Sequence, residues 1–258
     1  GCEAGADVVV VLRGCLSYRP DRRETNCLYI MWNISHPNMV TLEEYELYDV
    51  VCVASRHYAA ELQKQIAVPV LPLLQCTDIE LFYPSEKEPD TYKWDYIFIG
   101  NSRGVARSSV MWAIEDQLPL RMWGSGWDSI LKDHMDLFEA PFIDNSKIPD
   151  LYRSARVTLN DHWDDMREKQ FVNNRIFDAL ACGLPVITDT CEELRELFPD
   201  AVLHYETKEE FDECVRRVAE DYEAIRMKAQ KQWPLIQKGY SFGVRAEQLI
   251  EIARRYGE

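Results

Sequence analysis

Residues 157–188 read VTLNDHWDDMREKQFVNNRIFDALACGLPVIT. Two short apolar runs, 157–159 and 185–188, have strand character; between them lie a polar loop and a helix, 174–182, closed by Gly183. Parallel strands need such a crossover, and open α/β sheets bind ligands beyond the carboxyl ends of their strands. The loop 160–173 is therefore expected at a ligand edge, with the free N–H groups and positive dipole end of the next helix turned toward it. Phosphate groups favour such a place.

The 258 residues are enough for one large domain or two smaller ones with a proper core. At 47% hydrophobic and 28% charged, the chain has the balance of a globular protein. Its net charge of −15 argues against a nucleic-acid partner and against docking by charge on an anionic membrane. No apolar run reaches the ~20 residues of a membrane span, and residues 2–11 lack the flanks of a signal peptide. The eight cysteines form no C-x-x-C pair, so each reads as a small buried hydrophobe in a reducing, cytoplasmic setting.

The run ADVVVVL at 6–12 is continuous and β-branched, as in a buried parallel strand. Strands at 27–34, 49–54 and 68–74 follow, with a short polar helix at 41–48 and a helix capped by Ser55 running to 64. This half begins at Gly1 almost directly on a strand and is expected to be incomplete at its amino-terminal side. The charged, Pro-bearing run SEKEPDTY at 85–92 reads as a linker. Beyond it come a strand at 96–99 ending on Gly100, a helix at 105–117, a strand at 120–123 ending in WGSGW, and a helix at 147–155. After the central unit stand a strand at 201–205 and a helix at 209–229 with Phe211, Cys214, Val218, Tyr222 and Ile225 on one stripe, which is core. An amphipathic helix at 245–256 ends the chain. The expected division is 1–84, 93–240 and a terminal segment, 241–258.

The run NNRIFDALACGLPVIT at 173–188 resembles the donor-binding segment of GT-B-fold glycosyltransferases of the group 1 kind. It looks closest to the CgeB-like (spore-maturation-protein-type) branch, where Asn and Arg precede Phe, an acid and Ala-Leu-Ala-Cys-Gly. DVVCVASRHYAAEL at 49–62 resembles the strand–Ser–helix of the amino-terminal domain, and LPLLQCTDIELFYP at 71–84 the segment that hands the chain to the second. The resemblance implies an α/β, GT-B-like fold with two Rossmann-like domains facing a cleft, and a terminal helix crossing back to the first. It implies a hexosyl-type glycosyltransferase that moves a sugar from a nucleotide-diphosphate-sugar donor to a glycan or other hydroxyl acceptor. No metal and no cofactor beyond the nucleotide sugar, a substrate, would be required. Further domains of a larger glycan-synthesis protein are among the expected partners.

Group 1 enzymes carry Glu-x7-Glu, and the matching positions here are Gln170 and Asp178. They also carry Gly-Arg with a Lys seven residues after the Gly; here Asn101 and Arg107 stand in those places. The implied donor contacts are Gly100, Asn101, Arg103, Arg107, Gly124, Gln170, Asn174, Arg175 and Asp178, with Asp178 on the ribose and Gln170 on the sugar. His36, at a strand end, would face the donor across the cleft as a catalytic group. Each residue has a blander reading. Arg103 and Arg107 could be solvated helix-start residues, Arg175 could salt-bridge Asp178, and His36 could be satisfied by backbone. Trp127 suits a nucleobase or a core, and Asp161, His162, Asp164 and Asp165 read as solvated loop residues. Two other functions fit the same residues: a non-catalytic nucleotide-sugar-binding or scaffold subunit, and a sugar-nucleotide epimerase on the same fold.

Overall fold

The computed structural model describes residues 5–20, 27–85 and 91–257; the middle of the expected linker, 86–90, lies outside that set. In the amino-terminal half, β-branched and aromatic residues form β1 (Val8–Arg13), β2 (Leu28–Asn33), β3 (Val50–Val53) and β4 (Val70–Pro72). The four strands are parallel and lie side by side in sequence order. Helix α1 (Leu42–Tyr45) connects β2 to β3, and α2 (Arg56–Leu62) connects β3 to β4. Ser55 caps α2, its hydroxyl accepting from the Tyr58 N–H.

Two expectations fail in this half. The first strand, read as buried, is the sheet edge, with Val10 and Leu12 39% and 61% exposed. An unbroken apolar run carries no inside–outside alternation, so it cannot say where in a sheet it pairs. Cys27 is disulfide-bonded, whereas Cys15, Cys52, Cys76, Cys182, Cys191 and Cys214 are free.

The carboxyl-terminal half opens with β5 (Trp94–Ile99), α3 (Ser108–Glu115), β6 (Leu120–Trp123), α4 (Asp128–Leu131) and β7 (Phe138–Ala140). Next come α5 (Ile148–Ser154), β8 (Ala155–Asn160), α6 (Asp164–Glu168), α7 (Asn174–Ala181), β9 (Val186–Asp189), α8 (Glu192–Leu197) and β10 (Val202–Tyr205). Helices α9 (Lys208–Gln230), α10 (Trp233–Gly239) and α11 (Phe242–Tyr256) complete the chain. All six strands are parallel, in the order β10-β9-β8-β5-β6-β7. The chain starts mid-sheet at β5, runs out through β7, then returns to β8 and runs the other way. Alternation along β5 sends Tyr96 and Phe98 into the core under α3 and α9, and Ile97 into the core under α7. The crossovers after β5 and β8 therefore cover opposite faces and leave a crevice at their shared carboxyl rim.

The helix expected from residue 105 begins at Ser108, because 100–107 is a loop in which Arg103 and Gly104 take φ of +50° and +79°. Helix α11 lays Leu249, Ile252, Ala253 and Tyr256 on Leu28, Ile30, Val50, Cys52 and Leu73 of the amino-terminal half. Arg245, 4% exposed, pins it by donating to the carbonyls of Leu74 at 2.6 Å and Gly239 at 3.0 Å. The handover between cores falls upstream of the expected linker. Leu73 still belongs to the first core, whereas Phe82 packs on Tyr152 in the second, ring centroids 6.2 Å apart.

Candidate functional site

At the β5–β8 rim a cleft of about 180 Å³ opens between the two halves. Ile34, Ser35 and His36 line it from the end of β2, Arg103 from the loop after β5, and Asp161, Trp163, Asn173, Asn174 and Arg175 from the β8–α7 connection. Of the residues singled out in the sequence, His36, Arg103, Asn174 and Arg175 thus come together here. Arg175 is held rather than free: its guanidinium donates to the Ile99 carbonyl at 3.0 Å and the Asp161 carbonyl at 3.2 Å. It acts on Asp178 only through its charge, which favours the carboxylate, and a Cβ on Gly100 would sit 2.6 Å from its Nη1. Gly100 is needed to let the arginine lie against the backbone.

Asn173 occupies the cap position of α7 without capping it; its amide donates to Asn160 Oδ1 and the Asp161 carbonyl instead. The first N–H groups of α7 are left facing the cleft. From the other half, His36 is in the left-handed region at φ +52°, which points its ring across the gap. Its Nε2 lies 2.5 Å from Arg103 Nη1, and its ring meets Trp163 edge-on at 5.8 Å. Burial holds the His36 imidazolium below its usual range, with Arg103 adding to the effect and Asp165 opposing it. That shift favours the neutral ring, whose Nε2 can accept from the arginine.

The glycine loops form the floor. Gly124 has φ +135°, and a Cβ there would meet the Gly100 carbonyl oxygen at 2.1 Å. The exposed Asn101 accepts from the Ser125 N–H at 2.8 Å, and Ser102 donates to the Gly126 carbonyl. Trp127 is fully buried and donates its indole N–H to the Gly100 carbonyl, so it is core rather than a nucleobase platform. Trp123 is buried as well, edge-on to Trp94.

Three expected donor contacts lie elsewhere. Arg107 is 5% exposed, stacked 4.0 Å over the Trp163 ring and paired with Asp161 at 3.2 Å, and it lines an adjoining pocket. Gln170, at φ +63°, turns its amide oxygen to the Glu193 N–H, outside the cleft. Asp178 is 7% exposed, with one oxygen accepting from the Thr77 hydroxyl at 2.6 Å and the other from Asn174 at 3.1 Å. Burial pushes its carboxyl up to about 7 against the pull of Thr77 and Arg175.

Asp161 and His162 correct the reading of their run as solvated: both are about 5% exposed, while Asp164 is open. His162 Nδ1 lies 2.7 Å from Asp189 Oδ1, and Asp189 also accepts from the His162 N–H. Burial would raise the Asp189 carboxyl, but His162 outweighs it and holds it below the usual range. The Asp161 carboxyl, by contrast, is raised by burial despite Arg107. The signal that could have found these residues was position, since both follow directly on a strand end at the ligand edge. Among the described residues, no group of three or more His, Cys, Asp or Glu is arranged to hold a metal ion. No described helix is long and apolar enough to cross a membrane.

Two parallel sheets across a cleft, the second with its strand order reversed, are the architecture of GT-B glycosyltransferases, and known proteins agree. Residues 107–251, more than half of the chain, match the family described as "Glycosyl transferase-like", and the chain belongs to that family. No curated protein matches it by sequence. Among solved structures it is similar to sucrose-phosphate synthase from Thermosynechococcus elongatus, at 16% identity and TM-score 0.65 over 91% of this chain and 69% of that one. It is also similar to HepE of Anabaena in complex with UDP and glucose, at 13% and 0.66 over 88% and 72%. AviGT4, a glycosyltransferase involved in avilamycin A biosynthesis, gives 19% and 0.62 over 97% and 74%. At these identities the likeness establishes the fold.

Proposed function

We propose that the chain transfers a sugar from a nucleotide-diphosphate-sugar to a glycan or other hydroxyl acceptor. It would be a metal-independent hexosyltransferase of the CgeB-like branch, working in the cytoplasm. The observation that carries the reading is Arg175. A cation fixed by two carbonyls at the ends of β5 and β8, beside an uncapped helix start, is a prepared seat for a diphosphate. Charge develops on the diphosphate as the glycosidic bond breaks, and groups already aimed there stabilise it without reorganising. Arg103 adds a second cation, and His36 holds that arginine from the opposite half. Gly100, Asn101 and Gly124 shape the loop behind the phosphates, and Asn174 supplies the first helical N–H. Arg107, Gln170 and Asp178 take no donor contact in this reading. HepE, a chain of this fold, was solved with UDP-glucose, which supports a nucleotide sugar as the donor.

A nucleoside diphosphate should raise the melting temperature without added divalent metal, a ligand at 100 times its Kd adding ~2.7 kcal/mol. The reading fails if UDP, ADP, GDP and dTDP all leave the melting temperature of the intact chain unchanged. A second reading, a nucleotide-sugar-binding subunit without turnover, is favoured by Gln170, an amide where a carboxylate is expected and one that is already engaged by Glu193. Release of nucleoside diphosphate from the best-binding nucleotide sugar separates the two, because a binding subunit would release none.

A further inference from the structure

The β8–α7 connection, residues 161–173, belongs to the carboxyl-terminal half by sequence but is anchored in the other half. Met166 on α6 and Phe171 just after it are 3% and 0% exposed, and both lie in the amino-terminal core with Tyr45, Tyr58 and Leu62. Phe171 meets the Tyr58 ring at 5.8 Å. The turn that aims the two side chains is local. Gln170 follows the end of α6 in the left-handed region, at φ +63°. Its N–H donates to the Arg167 carbonyl at 3.1 Å, and the Phe171 N–H to the Met166 carbonyl at 2.7 Å. This pair of bonds is a Schellman closure, which folds the residue after the turn back over the last helical turn. Met166 and Phe171 therefore enter one core together.

The Gln170 side chain ties this turn to α8, its amide oxygen accepting from the Glu193 N–H at 3.2 Å. Glu193, fully buried, grips the same half: its carboxylate accepts the N–H groups of Arg56 at 2.8 Å and His57 at 3.3 Å, at the start of α2. Both ends of the connection, by contrast, belong to the diphosphate seat. The Asp161 carbonyl accepts from Arg175 at 3.2 Å and from the Asn173 amide at 3.3 Å, and Asn173 also donates to Asn160 Oδ1 at 3.2 Å. The chain thus leaves the seat at Asp161, sinks two side chains into the first core, and returns to the seat at Asn173. A close-packed core tolerates little displacement, so a segment pinned in it is held to one course.

We propose that Phe171 is a positioning residue for the nucleotide site. Anchored in the amino-terminal core, it sets the course of the connection that carries the Asp161 carbonyl and Asn173, and so holds Arg175 and the open end of α7 in place for a diphosphate. Phe171 does not itself line the cleft. The ligand in this inference rests on the nucleotide reading above; the mechanical link between core and seat does not.

The test compares the full chain with Phe171→Ala, with Phe171→Leu, which keeps an apolar anchor, and with Ile66→Ala. Ile66 is buried in the same core but lies past the far end of α2, away from the cleft. Two quantities are read on samples that circular dichroism shows to be folded. One is calorimetric affinity for UDP, ADP, GDP and dTDP; the other is amide exchange over residues 160–162 and 173–175, with β9 as the reference. Phe171→Ala should weaken the best-binding diphosphate by about tenfold or more and speed exchange at the seat as much, with β9 unchanged. Phe171→Leu should bring both back to within about threefold of the parent, and Ile66→Ala should leave both there although it too opens a cavity in the core. If Phe171→Ala does not fold, Phe171→Val takes its place, with about a fivefold change expected in each. The inference is overturned if the Phe171 deletion leaves either quantity unchanged in a chain that binds a diphosphate. It is equally overturned if Ile66→Ala matches that deletion, since lost core packing alone would then explain the effect. A parent that binds none of the four diphosphates sinks the donor reading, and exchange alone then decides this one: faster exchange at the seat in the Phe171 deletion but not in Ile66→Ala upholds the link, and equal exchange removes it.

Discussion

The two sheets are built alike and end differently. Both are parallel, and both bury β-branched residues on two faces. Among the described residues the amino-terminal strands lie in sequence order, so no reversal of strand order falls among them. The carboxyl-terminal sheet reverses between β5 and β8, and Gly100, Gly124, Asp161 and Arg175 all gather at that reversal. Composition and strand chemistry do not separate the sheets; order does. The amino-terminal half contributes by reaching over, through His36 and Thr77.

The largest effect expected is at the seam between the sheets. Folding raises the Asp178 carboxyl to about 7, so between about pH 4 and 7 the folded chain keeps a proton that the unfolded chain has lost. Stability from this group therefore falls as pH rises through that window and is fully lost above it, on the order of 4 kcal/mol at the limit. Asp178→Asn should remove the dependence: denaturant melts at pH 8 should find the variant more stable than the parent, and melts at pH 4 should find the two close. A constant offset at both pH values would mean that Thr77 and Asn174 fully compensate the buried charge.

Next in size is a paired substitution at the two rims. Gly124→Ala forces a side chain into φ +135° and onto the Gly100 carbonyl, and should cost ~3 kcal/mol or more. Gly14→Ala, just after β1, meets only Ser35 Oγ at 3.4 Å and should change stability by about 0.5 kcal/mol or less. Equal losses in chemical denaturation would break the contrast between the sheets. Arg175→Ala should then weaken nucleoside diphosphate binding by ~1.5–3 kcal/mol, the value of a charge-assisted bond, while free nucleoside binding measured by calorimetry stays within error. Smallest is Ser55→Ala, which removes the α2 cap and should cost ~1 kcal/mol in a thermal melt with nucleotide affinity unchanged.

Much of this was legible because strands and crossover helices carry their own periodicity. The β8–α7–β9 unit, the α9 stripe and the Ser55 cap could be read from spacing and residue type alone. The 138–140 strand could not, since three residues ending a sheet edge show no alternation. The site was legible by location and misread in aim. His36, Arg103 and Gln170 all adopt positive φ without being glycine, a conformation imposed by tertiary context rather than residue type. Arg107 was placed by spacing on the right loop, but spacing could not show Trp163 and Asp161 drawing it inward. Asp178 meets a partner 101 residues earlier in the chain, and no local pattern encodes such a pairing.

Helix α11 has a consequence for the order of synthesis. The apolar face of Leu28, Ile30, Val50, Cys52 and Leu73 is translated well before its cover, from Leu249 to Tyr256. At ~5–20 residues per second, roughly ten to forty seconds separate Leu73 from Tyr256. Through that interval the nascent first sheet offers an open greasy surface to whatever meets it at the ribosome. A chaperone that shields it, or a pause that prolongs its exposure, would govern the yield of folded protein without altering any contact in the finished molecule.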